Sequence, residues 1–191
     1  MELHPTLWRT CRVLAGETRL ALLRHVVESP GKTVSRLAEE VEIGLSLASQ
    51  ELRRLQSRGL IQAVRKGSFV HYLPAPDPQV PEASLLLAAL KDAFSRFNPA
   101  KDVQIMLIAT ALSHPRRIRI LQELLAGSRT VPMIREATRI PPESLYRHLP
   151  LLQKGFLIRQ NNRIFRAPRP AHPLAKCLVE LVKATGKPRS S

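Results

Sequence analysis

One short segment carries hydrogen-bonding side chains at helical spacing. If residues 46–58 (SLASQELRRLQSR) form a helix, its apolar residues Ala48, Leu52 and Leu55 share one face. At 100° per residue, the opposite face and its flanks carry polar and cationic residues, namely Ser46, Ser49, Gln50, Arg53, Arg54 and Ser57. Arginine can chelate guanine and glutamine can chelate adenine, so this face has the chemistry to contact base edges and phosphates.

Cationic residues continue into the segment after this helix. The pattern from Ile61 to Val64 alternates, a turn is predicted at 66–68 (KGS), and residues 69–72 (FVHY) return as a second strand. Arg65, Lys66 and Ser68 would lie at the end of this hairpin, where they are expected to contact backbone phosphate. Such contacts position a protein on nucleic acid without specifying a sequence.

The distribution of charge favours a polyanionic partner. The formal net charge of the 191 residues is +15. Residues 1–77 contribute +3, residues 78–102 are neutral, and residues 103–191 contribute +12. A field of this sign attracts nucleic acid first and an acidic membrane second, although solubility alone is the simpler alternative. Together with the polar helix face, it favours a nucleic-acid partner.

The chain repeats itself at an offset of 97 to 98 residues. Three apolar positions at helical spacing recur 98 residues later, as Leu20, Leu23 and Val27 against Ile118, Leu121 and Leu125. Thr33 and Thr130 recur at offset 97, and each is expected to cap the helix that follows. The inward face of the segment 46–58 recurs as Leu145, Leu149 and Leu152.

The predicted fold is mainly α with short β-hairpins, in two tandem units. Each half consists of helices, a glycine stop (Gly59, aligned with Gly155), a hairpin and a closing helix. The second hairpin is predicted to turn at Asn161-Asn162, since asparagine tolerates positive φ. The predicted division is 1–77, a linker and closing amphipathic helix at 78–101, and 102–191 with its C-terminal helix.

These segments resemble the winged helix–turn–helix of bacterial ArsR-type (arsenical-resistance-repressor) regulators. The resemblance lies in LAGETRLALLRHV, TVSRLAEEV, SLASQELRRLQSRGLI and RKGSFVHYL, and again in LSHPRRIRILQELL, TVPMIREA, SLYRHLPLLQKGFLI and RQNNRIFR. It implies two tandem winged helix–turn–helix domains in a sequence-specific transcriptional regulator that binds double-stranded DNA. The fourth helix of each domain would enter the major groove, with the hairpin as a basic wing on the phosphates.

The second copy departs from this pattern. Pro150 takes the place of Arg53, which predicts either a kinked helix or a helix regular only in its first half. Glu143 would repel phosphate, which weakens base reading by this copy. We therefore expect the first copy to read sequence and the second to add backbone affinity, through the candidate contacts Tyr146, Arg147, His148, Arg159, Arg163 and Arg166.

The resemblance also implies pairing through the first and last helices of each domain. With both domains on one chain, the apolar outer helices can bury in two ways. One is an intrachain pseudo-dimer whose recognition helices lie about 34–36 Å apart, one turn of DNA. The other is a homodimer of tandem chains, and the apolar surface fits both.

No catalytic or metal-binding motif is present in the sequence, so we expect no enzyme, no cofactor and no metal. Cys11 and Cys177 could form a thiol sensor, but isolated helical cysteines are more often small buried hydrophobes. The low cysteine content fits a reducing cytoplasm, where a DNA-binding protein would be nucleoid-associated. The lack of a long apolar run predicts no membrane span. The alternative is a tandem winged-helix scaffold for protein interaction, without sequence-specific DNA binding.

Overall fold

The same order of helices and strands occurs twice along the chain. A computed structural model describes residues 7–185. The first repeat contains α1 (Leu7–Leu14), α2 (Glu17–Glu28), β1 (Lys32–Thr33), α3 (Val34–Glu40), α4 (Leu45–Gln56), β2 (Gln62–Lys66), β3 (Phe69–Leu73) and α5 (Ala83–Arg96).

The second repeat follows a 3-10 turn at Pro99–Lys101. It contains α6 (Asp102–Leu112), α7 (Pro115–Ala126), β4 (Arg129–Thr130), α8 (Val131–Thr138), α9 (Pro142–Lys154), β5 (Arg159–Asn161), β6 (Ile164–Arg166) and α10 (Pro173–Thr185). The mainly α architecture with short hairpins is therefore confirmed.

Each hairpin belongs to a three-stranded antiparallel sheet, with strand orders β1-β3-β2 and β4-β6-β5. The third strand has only two residues and lies directly before α3 or α8. It pairs Thr33 with His71 in the first repeat, and Thr130 with Ile164 in the second. This pairing, which the sequence did not predict, fixes each hairpin relative to the start of the neighbouring helix.

The two threonines before these helices behave differently. Thr33 caps α3 as predicted, because its Oγ1 accepts a hydrogen bond from the backbone N–H of Arg36 at 3.4 Å. Thr130 makes no side-chain cap, so that prediction was wrong. Pro132 lies in the first turn of α8 and needs no partner, which leaves fewer backbone N–H groups for a cap to satisfy.

The ends of α4 and α9 correct the alignment of their glycines. Gly59 has φ +70, and its counterpart in hydrogen bonding is Phe156, at φ +58, rather than Gly155. Gly155 has a different role, because a Cβ there would lie 2.4 Å from the Cβ of Ala111 on α6. One glycine thus supplies a left-handed turn, whereas the other allows close helix packing.

The second hairpin also turns one residue later than predicted. Asn161 is the last residue of β5, and the two turn residues are Asn162 at φ 46 and Arg163 at φ 66. Positive φ at both positions is the geometry of a type I′ turn, which suits the twist of a two-residue hairpin. Arg163 therefore occupies the tip itself.

Equivalent helices of the two repeats pack against each other: α1 contacts α6, and α5 contacts α10. Pairing of like with like is the contact pattern of an isologous two-fold interface. The buried apolar residues form one cluster that includes Leu14, Leu90, Leu112 and Leu178. The predicted boundaries at 77 and 102 thus separate two sequence repeats that share a single core.

An arginine closes the first helix of each repeat in the same way. The Nε of Arg19 donates to the carbonyl of Val13 at 2.7 Å, and the Nε of Arg117 donates to the carbonyl of Ala111 at 2.8 Å. The last carbonyls of an α-helix lack partners within the helix, so these guanidinium groups satisfy them. Each arginine thereby fixes the angle between the first two helices of its repeat.

A third arginine joins the two repeats. Arg24 on α2 is only 4 % exposed, and its Nε donates to the Oδ2 of Asp102 at 2.8 Å, at the start of α6. It also donates to Glu28 at 2.7 Å and to the carbonyls of Phe94 and Phe97. Its guanidinium lies 4.4 Å from the Phe94 ring centroid. One buried cation thus connects α2, the end of α5 and the beginning of the second repeat.

This arrangement predicts a large difference between two aspartate substitutions of the same kind. Asp102→Asn weakens the main carboxylate partner of a buried cation and should lower the free energy of unfolding by about 2–3 kcal/mol. Asp92→Asn breaks an exposed pair with Arg96 and should cost less than about 0.5 kcal/mol. Urea unfolding of both variants measures the difference, and equal losses would contradict the linking role of Arg24.

Candidate nucleic-acid interface

Helix α4 separates its apolar and polar residues as its sequence predicted. Ala48, Leu52 and Leu55 are fully buried. The predicted contact residues lie on the other side, where Ser46, Gln50, Arg53 and Arg54 are exposed and Ser49 is half-buried. The exposed face offers a hydroxyl, an amide and guanidinium groups to an external partner.

A buried glutamate on α4 was missed from the sequence. Glu51 is 5 % exposed and accepts hydrogen bonds from Arg19 at 2.9 Å and from Arg54 at 2.6 Å. This pairing ties the exposed face of α4 to the arginine that closes α1. It also draws the Arg54 guanidinium toward Glu51, so Arg53 is the arginine of this face that is more available to an external partner. The i, i+3 spacing of Glu51 and Arg54 was the available sequence signal.

The first hairpin projects its predicted contact residues into solvent. Arg65, Lys66 and Ser68 are all exposed, and Phe69 beside them is 65 % exposed. The half-buried His71 instead uses its Nδ1, which donates to the carbonyl of Gly31 at 2.7 Å. The base of the hairpin is thereby fixed to the loop before β1, while its end remains accessible.

In the second repeat, α9 runs without interruption from Pro142 to Lys154 and contains Pro150. The expectation that only its first half is regular is therefore wrong. Tyr146 and Arg147 are exposed as predicted, and Tyr146 is 66 % exposed. The equivalent of the α4 polar face thus presents an aromatic ring and a proline together with one guanidinium group.

The structure places His148 differently from the expectation that it is a surface contact. His148 is half-buried, its ring centroid lies 4.8 Å from that of His114, and its Nδ1 is buried without a hydrogen-bond partner. Burial, with nearby His114 and Arg117, lowers the pKa of His148 to about 4. Its ring is therefore neutral near pH 7 and offers no positive charge to phosphate.

His148 occupies the position that Glu51 has in the first repeat. The closing arginine of the second repeat, Arg117, is 7 % exposed and has no carboxylate partner within residues 7–185. Its other hydrogen bonds go to the Thr110 carbonyl and the Ser113 hydroxyl, both at 2.8 Å. The exchange of an acid for a neutral ring leaves this end of α9 more cationic than the matching part of α4.

The second hairpin carries the densest group of exposed cations in the predicted set, Arg159, Arg163 and Arg166. Ile164, which is 45 % exposed, holds the same register position as Phe69 in the first hairpin. A groove of about 610 Å³ separates this hairpin from α9 and is lined by residues that include Tyr146, Leu149, Pro150, Arg163 and Phe165.

The two cysteines are poor candidates for a thiol sensor. Burial raises the pKa of Cys11 to about 12 and that of Cys177 to about 11, so neither forms the reactive thiolate near neutral pH. Within residues 7–185, no three His, Cys, Asp or Glu side chains are grouped so that they could hold a metal ion. In the same part of the chain, no helix has the length and apolarity needed to cross a bilayer.

No protein-family model matches the chain, and no curated protein matches its sequence. The features from which function can be inferred are therefore the exposed polar and basic side chains of α4, α9 and the two hairpins. The first repeat combines hydrogen-bonding groups with few cations, whereas the second combines many cations with an apolar groove.

The buried position of His148 predicts a specific loss of stability in acid. The unfolded chain binds a proton at this residue below a pH of about 6.5, whereas the folded chain binds it only near pH 4, so stability falls as the pH decreases between these values. The charged groups that act on the ring are His114, Arg116, Arg117 and Arg147. Between pH 7.5 and 4.5, the wild type should lose about 2 kcal/mol more than His148→Leu in urea unfolding. An equal loss in both proteins would show that His148 is protonated in the fold.

Proposed function

We propose that this protein is a sequence-specific transcriptional regulator of ArsR type that binds double-stranded DNA. Each repeat would act as a winged helix–turn–helix domain, with α4 and α9 at major grooves and the two hairpins as wings on the phosphate backbone. The role is one of binding, without catalysis, and would be exercised in the cytoplasm at the nucleoid.

The exposed face of α4 is the observation that carries this proposal. Its side chains Gln50 and Arg53 combine an amide and a guanidinium on one side of a helix whose other side is fully buried. An α-helix fits the major groove of B-DNA, and these two side-chain types are those that chelate adenine and guanine. The exposed cations of the adjoining hairpin, Arg65 and Lys66, would meet the backbone beside that groove.

The pairing of α1 with α6 and of α5 with α10 supports an intrachain pseudo-dimer. A two-fold relation between the repeats would direct α4 and α9 to successive turns of one face of the duplex, about 34–36 Å apart. The repeats carry different side chains at equivalent positions, so the preferred DNA site would be asymmetric. A homodimer of tandem chains would instead select a palindrome.

The second repeat would contribute affinity more than sequence selection. Pro150 and Tyr146 replace polar groups on the exposed side of α9, and Glu143 in its first turn opposes phosphate. Its hairpin nevertheless exposes Arg159 and Arg166, with Arg163 at the tip. Phosphate contacts release counterions and dominate sequence-independent affinity.

Selection of bound fragments from a random duplex pool tests sequence recognition directly. The wild type should enrich one asymmetric motif. Gln50→Ala and Arg53→Ala should each reduce discrimination at one base position by about 10- to 100-fold, because each removes a bidentate contact. Arg96→Ala, which removes an exposed arginine paired with Asp92 on α5, is the matched control and should retain the motif. A pool that shows no enrichment would refute sequence-specific binding.

The salt dependence of affinity tests the role of the second hairpin. In Arg163→Ala/Arg166→Ala, the slope of log K against log salt should become shallower by about 2, since two phosphate contacts are lost. The control Lys91→Ala/Arg96→Ala removes the same charge from α5 and should leave the slope unchanged. Fluorescence anisotropy with one fixed duplex between 50 and 200 mM salt would measure both, and equal slopes in the two variants would argue against phosphate contact by this hairpin.

A second candidate function is a protein-interaction scaffold, because the same surfaces expose large apolar side chains. Leu47 on α4 is 43 % exposed, and Phe69 is 65 % exposed at the first hairpin. Apolar groups exposed together commonly mark protein contacts. A scaffold would show no salt-sensitive retention of random DNA fragments in a gel-shift experiment, whereas the regulator would.

A further inference from the structure

A cavity of about 360 Å³ lies where the linking segment between the repeats meets the second hairpin and the start of α10. This volume falls at the lower end of the range for small-molecule sites. Phe97, Ile108, Phe156 and Ala175 form its apolar walls. The polar residues that line it are Gln104, Arg159, Arg169 and His172.

His172 lines the cavity as a neutral ring. Its Nδ1 accepts from the backbone N–H of Leu174 at 3.2 Å, so the proton of the neutral ring lies on Nε2. That Nε2 is buried and has no hydrogen-bond partner within residues 7–185. Burial lowers the pKa of His172, against the weaker opposing effect of Asp92, and therefore favours this neutral form. The neutral His172 ring therefore adds no charge to the cavity wall.

The ring of His172 is also held rigidly in place. It stacks on Phe97 with the centroids 5.2 Å apart and the planes inclined by 14°. The His172 carbonyl accepts from the backbone N–H of Lys176, in the first turn of α10. This wall of the cavity therefore has a fixed position before any ligand arrives, which reduces the entropic cost of binding.

The two arginines of the cavity suit an anion. Neither Arg159 nor Arg169 makes a salt bridge or side-chain hydrogen bond within the described residues, and both guanidinium groups are exposed. No Asp or Glu lines the cavity. Asp92, the nearest acid to act on His172, is paired with Arg96 at 2.6 Å. Two cations without a partner among the described residues thus line a cavity that has apolar walls.

Phe156 gives one wall of the cavity an unusual conformation. It is 57 % exposed and has φ +58, at the position where the first repeat has Gly59. A bulky residue in this region is strained, and exposure of its ring recovers none of that cost. A flat apolar ligand in the cavity would cover the Phe156 ring.

We propose that this cavity binds a small aromatic carboxylate, with the carboxylate on Arg159 and Arg169 and the ring against the apolar walls, which include Phe156. Charge-assisted hydrogen bonds to guanidinium groups supply the preference for an anion, and the aromatic walls supply the preference for a planar body. Arg159 also belongs to the second hairpin, so an occupant would withdraw one of its cations from other anions.

Isothermal titration calorimetry with three probes tests the ligand class on the full chain. 2-Naphthoate should bind at least about tenfold more tightly than the neutral isostere 2-naphthamide, because only the anion engages the guanidinium groups. Inorganic phosphate, which lacks an apolar body, should bind more weakly than naphthoate. Equal affinity for naphthoate and naphthamide would overturn the anion assignment, and preferential phosphate binding would overturn the aromatic one.

Three variants locate the site. Arg159→Ala and Arg169→Ala each remove one cation, and each should weaken naphthoate binding about tenfold. Phe156→Gly suits the local backbone, so it should fold normally yet weaken binding about fivefold through loss of the wall. Arg135→Ala, an exposed arginine of α8 outside the cavity, is the control and should bind naphthoate like the wild type. Unchanged affinity in all three site variants would refute the assignment.

The consequence for DNA rests on the proposed function and is measured separately. If Arg159 contacts phosphate, saturating naphthoate should weaken DNA binding by the same factor by which DNA weakens naphthoate binding. A wild type that binds naphthoate but no DNA would refute the regulator and leave the cavity assignment intact. DNA binding without naphthoate binding would refute the cavity assignment and leave the regulator intact.

Discussion

The structure depends on the mutual burial of equivalent outer helices. α1 and α5 of the first repeat cover α6 and α10 of the second, and residues such as Leu86, Leu90, Leu174 and Leu178 are buried in the shared core. Burial of one leucine is worth about 1.5–3 kcal/mol, whereas a whole domain is stable by about 5–15 kcal/mol. Exposure of several such residues would exceed that margin, so neither repeat is expected to persist without the other.

The two repeats have kept the interactions that fix their backbones and changed those that set their charge. Arg19 and Arg117 close the first helix of each repeat in the same geometry. At the equivalent of Arg24, the second repeat has Gln122, whose amide lies 3.5 Å from the Val182 carbonyl near the end of α10. The acid Glu51, by contrast, has no acidic counterpart. The two repeats thus have similar backbone folds but different charges.

The sequence predicted the features that periodicity encodes. Apolar residues at helical spacing located α4 and its buried face, and the offset of 97 to 98 located the second repeat. It could not predict strands of two residues, which are too short to show alternation. It also aligned Gly155 with Gly59, whereas the residue with positive φ is Phe156, because residue type is a weak guide to a conformation that tertiary packing imposes. The inward position of His148 depends on His114, distant in the sequence, and no local pattern reveals such a contact.

The covalent link through the 3-10 turn at Pro99–Lys101 affects how the sequence of this molecule can evolve. In a protein assembled from two identical chains, every substitution appears in both halves at once, and dilution can separate the partners. Here the halves cannot drift apart in a dilute cell, and each position is free to vary alone. One repeat can therefore lose or gain a function while the other keeps the original one. Two linked repeats are thus expected to diverge until the molecule is asymmetric.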